Sequence, residues 1–215
     1  DVNVGYSFSV TGAILSAATT VGTADVLSPI SWAGTEFYDY KLRGGANKEW
    51  FVYAPFAEAT VDFWSGASAA ASFAHLNTSI VGKRQWYKVT TADGTDGDSF
   101  KINSSSPILL AYEQGTGDVT IQHPATTDLW GIDGGDFVVG YDTTRYSLYD
   151  SDAATLSRVV DETDQVLTTS VSQGAGSALH MNATNLIGAS ATADSDGGDT
   201  FVFLPEYELE SQYYI

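Results

Sequence analysis

Ser99-Phe100-Lys101-Ile102-Asn103-Ser104-Ser105 and Ala178-Leu179-His180-Met181-Asn182-Ala183-Thr184 decide how this chain is read. Each alternates apolar and polar residues, the period of a half-buried β-strand. Each also carries an N-x-S/T triplet at the same place. Three further segments match in the same order. Phe51-Val52-Tyr53-Ala54 aligns with Phe137-Val138-Val139-Gly140, and Thr60-Val61-Asp62-Phe63-Trp64 with Arg145-Tyr146-Ser147-Leu148-Tyr149. Gly117-Asp118-Val119-Thr120-Ile121-Gln122-His123-Pro124 aligns with Gly198-Asp199-Thr200-Phe201-Val202-Phe203-Leu204-Pro205. The offsets are 79, 86, 85 and 81 residues, which predicts a duplicated unit of about eighty residues.

Working outward, strand signals recur at 4–10, 36–42, 49–54, 59–64, 85–90, 99–103, 107–112, 119–123, 136–140, 145–149, 165–171, 178–182, 185–190, 200–204 and 208–214. Gly/Asp-rich turns separate them at 44–45, 92–99, 115–118, 133–136 and 194–199. The only helical signal is one or two turns over 68–75. Many short strands at this spacing predict an all-β fold: internally duplicated β-sandwich or barrel-like units with short turns and little helix. The expected divisions are an uncharged N-terminal β segment over 1–35, suited to an assembly strand, a first β unit over 36–127 and its duplicate over 128–215. No Pro- or Ser-rich linker divides them.

The chain has 215 residues, 27 acids, nine bases and no cysteine, for a net charge of −18. A chain of this length can bury a core of its own. At 43% hydrophobic and 13% aromatic residues it is too apolar for a disordered chain. The acid excess argues against nucleic acid and anionic membrane surfaces as partners, because affinity there comes from bases that neutralise phosphates. Without cysteine there are no disulfides, thiolate metal sites or cysteine nucleophiles. The charge is uneven: residues 1–127 hold 12 acids and seven bases, residues 128–215 hold 15 acids and two bases. Such asymmetry can orient head-to-tail contacts between copies. The chain begins at Asp1 with no basic and apolar leader, so a mature secreted chain is expected. No stretch is apolar enough to insert in a membrane as a helix.

No enzymatic signature stands out, and no catalytic residue is assigned. His75, His123 and His180 fall in no zinc-ligand spacing, and there is no nucleophile elbow or phosphate loop. Glu58, Asp62, Glu113 and Glu162 would serve as paired carboxylates, but 27 acids supply such pairs by chance. No cofactor is expected, calcium excepted. Asp93, Asp96 and Asp98 in one loop, and Asp194, Asp196 and Asp199 in another, alternate acid with flexible residues. That arrangement lets carboxylates converge on a hard cation, although Asp/Gly hairpin turns are the plainer reading. Asp133-Gly134-Gly135-Asp136 is a weaker version. Asn77, Asn103 and Asn182 head the three sequons and are candidate glycosylation sites. Trp32, Trp50, Trp64, Trp86 and Trp130 suit core packing, or a sugar-stacking platform that would make glycans a partner.

The long uncharged stretches 2–24, 63–82 and 165–193 tell more. Monomeric sheets usually blunt their edges with charge, above all Lys. Strands with high β-propensity and no charge are suited to pairing with other chains, as is 211–215 at the C-terminus.

With this composition the chain resembles secreted structural proteins of prokaryotic envelopes, archaeal ones above all. Surface-layer subunits and the sheath proteins of filamentous methanogens are the nearest comparison. The likeness is compositional and runs the full length. Separately, Ser104-Ser105-Ser106-Pro107-Ile108-Leu109-Leu110-Ala111-Tyr112 resembles a strand of large extracellular adhesive β-domains. These resemblances imply an extracellular or cell-surface protein with a structural role, one that pairs with itself into an amyloid-like layer, sheath or fibre. A carbohydrate-binding or adhesion module and a viral coat or fibre protein are the alternatives.

Overall fold

In the computed structural model the described residues are 30–40, 48–66, 73–91, 99–114, 118–132, 136–140, 145–150, 155–161, 167–171, 178–192, 200–202 and 204–205. Among these residues the fold is all-β apart from one 3₁₀ turn at Ile30–Trp32. The first half contains β1 (Gly34–Tyr40), β2 (Lys48–Tyr53), β3 (Ala59–Gly66), β4 (Ala74–Val81), β5 (Trp86–Thr91), β6 (Ser99–Gln114) and β7 (Asp118–Gln122). The long β6 organises it. Its N-terminal part is flanked by β1 and β3, its C-terminal part by β2 and β7. β4 extends the sheet beyond β3, and β5 extends it beyond β2.

β6 passes from one layer to the other at Ser104–Pro107. Pro107 has no N–H to give a ladder, so pairing changes partner there. Ser104 Oγ donates to the Ser106 carbonyl at 2.7 Å, and Thr60 N donates to Ser105 Oγ at 2.9 Å, so local side chains bond where the ladder is interrupted. Alternate residues of both parts face one core: Phe100, Ile102, Ile108 and Leu110 from β6, Trp50 and Val52 from β2, Val61 and Phe63 from β3, with Phe37, Val81 and Val89. Trp50 packs against Phe63 at 6.2 Å and Phe100 at 5.5 Å, joining the two layers through aromatic contacts.

The second half repeats this plan. It contains β8 (Thr126–Ile132), β9 (Asp136–Gly140), β10 (Arg145–Asp150), β11 (Thr155–Asp161), β12 (Leu167–Val171), β13 (Ala178–Thr192) and β14 (Thr200–Val202). The two seven-stranded sheets have the same order, with β13 in the place of β6. Registers agree as well. Phe63 opposes Ile102 as Leu148 opposes Met181; Glu36 opposes Asn103 as Asp128 opposes Asn182; Val52 opposes Leu110 as Val138 opposes Ala189; Ile121 opposes Ala111 as Val202 opposes Ser190. Even the irregularity between Phe63 and Trp64 against β4 recurs between Leu148 and Tyr149 against β11. The matched segments of the sequence thus occupy matched positions in two copies of one β unit.

The structure departs from the strand reading in three ways. The segments 99–103 and 107–112 are one bent strand, as are 178–182 and 185–190, because the bend interrupts the sequence pattern without ending the strand. β4, β8 and β11 carried no strand signal. Five consecutive residues of β4 are exposed, so it has little apolar alternation to show. Third, Ala74 and His75, within the expected helical turns, begin β4, while 67–72 lie outside the described residues. The strand expectations at 4–10 and 208–214, most of the 1–35 segment, and 211–215 also lie outside them.

The halves touch along the edge of the first. β1 lies against β13 and β9, and β7 against β14. Gly188 on β13 permits the approach: a Cβ there would overlap the carbonyl oxygen and Cβ of Tyr38. At the matching position of the first half stands Leu109, buried in a small outer cluster with Phe51, Tyr53, Ala111 and Ile121 and covered by Trp32 and Ala33. No described helix is long and apolar enough to cross a membrane.

Candidate interaction face

Because Phe37, Ile102 and Phe63 point into the core, their neighbours form the outer face of β1, β6, β3 and β4. Cross-strand register sets these in two rows: Glu36, Asn103, Asp62 and Thr78, then Tyr38, Lys101, Trp64 and His75. The same positions in the second half are Asp128, Asn182, Ser147 and Val159, then Trp130, His180, Tyr149 and Leu156. An acid beside an amide, and an aromatic beside a base, are thus kept in both copies.

The contacts show what this pattern does. Tyr38 Oη donates to Glu36 Oε1 at 2.6 Å, and Lys101 Nζ lies 3.9 Å from that oxygen and 5.8 Å above the Tyr38 ring. Burial lowers the Lys101 pKa, and the Glu36 carboxylate opposes that in part. In the second half, His180 Nε2 meets Asp128 Oδ2 at 2.9 Å, Asn182 Nδ2 donates to the same oxygen at 3.0 Å, and His180 stacks on Trp130 at 4.2 Å. On β3 and β4, His75 Nε2 lies 3.0 Å from Thr78 Oγ1 and 3.4 Å from Asp62 Oδ1, with its ring edge-on to Trp64 at 4.8 Å. Each base is held by an acid and covers an aromatic ring. The rows are therefore bonded within the chain, and their rings are already occupied by neighbours.

Among the described residues, exposed bases and large apolar side chains gather at the corner between β4 and β5. Its turn is pinned: Gln85 N donates to Gly82 O, Arg84 N to Ala54 O, and Ala54 N to Gln85 O, at 2.9, 2.6 and 3.1 Å. Arg84 takes a left-handed φ of 58°, a conformation rare outside Gly, Asn and Asp. Residues 83–88 are exposed without a break. They include Lys83, Arg84, Trp86, Tyr87 and Lys88, three of the chain's nine bases. Lys88 is held by Glu49 at 2.9 Å; among the described residues no carboxylate pairs with Lys83 or Arg84. Phe56, two residues after Ala54, and Leu76 and Ile80 on β4 are also exposed, Ile80 to 67%. β4 pairs only with β3 among the described residues and contains no Asp, Glu, Lys, Arg or Pro.

The sites expected from sequence fall in different places. Asp93, Asp96, Asp98, Asp194, Asp196 and Asp199 lie outside the described residues. Asn77 is exposed on β4, its Nδ2 donating to Ser79 Oγ at 3.3 Å. Asn103 is half-buried, with Oδ1 buried and unpartnered, and Asn182 is exposed. Both precede the bend of their long strand, so the two sequons share a register position. Asp62 is engaged by His75 and Thr78, Glu58 is exposed in a turn, and Glu113 opposes Glu49 across β6 and β2. His123 follows β7, its Nδ1 2.7 Å from the Pro124 carbonyl oxygen and its ring edge-on to Trp32. The paired acid–base rows were not foreseen, because the partners are up to 65 residues apart and meet only through register. The corner was not foreseen either, although three bases within 83–88 of a base-poor chain are the signal that marks it. No family model matches the chain, and no curated protein or solved structure is significantly similar to it.

Proposed function

We propose that this chain is a structural subunit that assembles with copies of itself through sheet edges, in an extracellular layer, sheath or fibre. β4 carries this reading: an outer strand of eight residues with no charge and no proline, exposing Leu76 and Ile80. Natural sheets blunt such an edge because its free N–H and C=O groups template another strand. The register-equivalent strand β11 does carry charge, with Arg158 where β4 has Asn77, and Asp161 at its end. Only one of two matched edges is therefore left neutral. The extracellular setting draws on the absence of cysteine, the acidic composition and the envelope resemblance.

Sedimentation velocity over rising protein concentration tests the reading. Wild-type protein is expected to form large species, and Ile80→Lys to raise the concentration needed by about tenfold or more while keeping the β-sheet circular-dichroism spectrum. A wild-type chain that stays monomeric at millimolar concentration would remove the proposal.

A second reading, a glycan-binding module, draws on the exposed Trp86, Tyr87 and Phe56. Glycan-array binding lost in Trp86→Ala would favour it.

A further inference from the structure

We propose that the β4–β5 corner is a docking tip for the acidic half of a second copy, so that copies join head to tail. The inference rests on the self-assembly reading and names the surface and its partner. Three observations carry it.

The first is chemical. Trp, Tyr and Arg are the residues that most often anchor interfaces, and Lys83, Arg84, Trp86 and Tyr87 stand exposed and adjacent in sequence here. The turn is tied to Ala54 by two backbone hydrogen bonds, so little ordering cost remains on docking.

The second is electrostatic. Lys83 and Arg84 have no acid partner among the described residues, in a chain of net charge −18. Residues 128–215 hold 15 acids against two bases, while residues 1–127 hold 12 against seven. A cationic tip on the less acidic half meets the most complementary surface on the other half of a neighbour. Joining like halves would set acid against acid.

The third is geometric. The contact between halves within one chain does not continue from copy to copy. It needs Gly188 beneath Tyr38, and the matching seat in the first half holds Leu109 beneath Trp32 and Ala33. Further growth must use another surface, and the corner is continuous with the uncharged β4 edge. A tip on one half and its acceptor on the other form a heterologous contact, which propagates from copy to copy as an open filament or closes into a ring.

The experiment mixes ¹⁴N- and ¹⁵N-labelled full-length protein, joins lysine amines to carboxylates with a zero-length carbodiimide, and maps mixed-isotope peptides by mass spectrometry. Light scattering is followed in parallel for wild type, Lys83→Glu/Arg84→Glu and Trp86→Ala. Expected are intermolecular links from Lys83 to acids within 128–215. Assembly is expected to weaken about tenfold or more in the charge-reversed variant and in Trp86→Ala, and to weaken as salt shortens the screening length from about 10 Å at 0.1 M to about 3 Å at 1 M. Unchanged circular dichroism shows that the variants fold. If wild type assembles but both variants assemble equally well, or the Lys83 links run only to residues 1–127, the corner is not the contact and self-assembly stands. If wild type never assembles, both proposals fall.

Discussion

At matched register the first half places Trp50, Phe63 and Phe100 where the second has Asp136, Leu148 and Leu179. Ile102 and Ile108 are matched by Met181 and Ile187, all fully buried. One register plan thus carries Trp50 or Asp136, and Phe63 or Leu148, at the same position, while Ile102 and Met181 fill the same buried one. Pairing order and register are held constant while side-chain volume varies, which shows that the alternation of inward and outward positions, rather than particular core residues, specifies the unit. The outer rows show the reverse economy: Glu36, Tyr38, Lys101 and Asn103 change to Asp128, Trp130, His180 and Asn182, each keeping its chemical class. A base bonded across strands to an acid and laid on an aromatic ring ties β1 to β6 and β8 to β13.

Substitutions in the two cores should cost the most stability. Trp50→Ala removes the ring that joins both layers and should cost about 3–5 kcal/mol, read by urea unfolding. Ile102→Ala and Met181→Ala should each cost about 2–5 kcal/mol; a much smaller loss for Met181→Ala would show that the second half is not cored like the first. Next comes the contact between halves. Gly188→Ala forces a Cβ against the Tyr38 backbone and should destabilise by about 1–3 kcal/mol, whereas Ala189→Gly beside it would leave that contact intact. Asp128→Ala removes the acceptor shared by His180 and Asn182 and should cost about 1–2 kcal/mol in thermal or urea unfolding.

The smallest effect concerns Lys101. Its folded pKa is lowered by burial, so the unfolded chain binds the proton more tightly. The destabilising contribution is present at neutral pH and is relieved as pH rises through the folded pKa towards the unfolded value. Lys101→Met should therefore change neutral-pH stability by less than about 1 kcal/mol. It should also remove that alkaline gain, seen as a smaller rise in melting temperature relative to wild type between pH 8 and about 10.5.

Much of the plan was legible in the sequence because period-two alternation and Gly/Asp turns survive in both halves. The four matched segments include β2, β3, the start of β6, β7 and their counterparts, and their offsets differ by the lengths of intervening loops. β4 was not legible because it buries only part of one face: only Ser79 and Val81 are buried. β8 breaks its pattern with Asp128 and Gly131. The acid–base rows needed register, which no local window contains. The open corner needed the fold as well, since Ala54 meets Arg84 and Gln85 only through backbone hydrogen bonds between distant segments.

β4 and β11 differ as candidate assembly edges, and hydrogen exchange measures that difference directly. Amide exchange is followed for residues 74–81 and 155–161 as full-length protein is taken from dilute to assembling concentrations. Assembly through β4 should slow the β4 amides facing away from β3 by tenfold or more while those of β11 stay unchanged. Assembly that protects β11 and leaves β4 exchanging as in the dilute protein would contradict it.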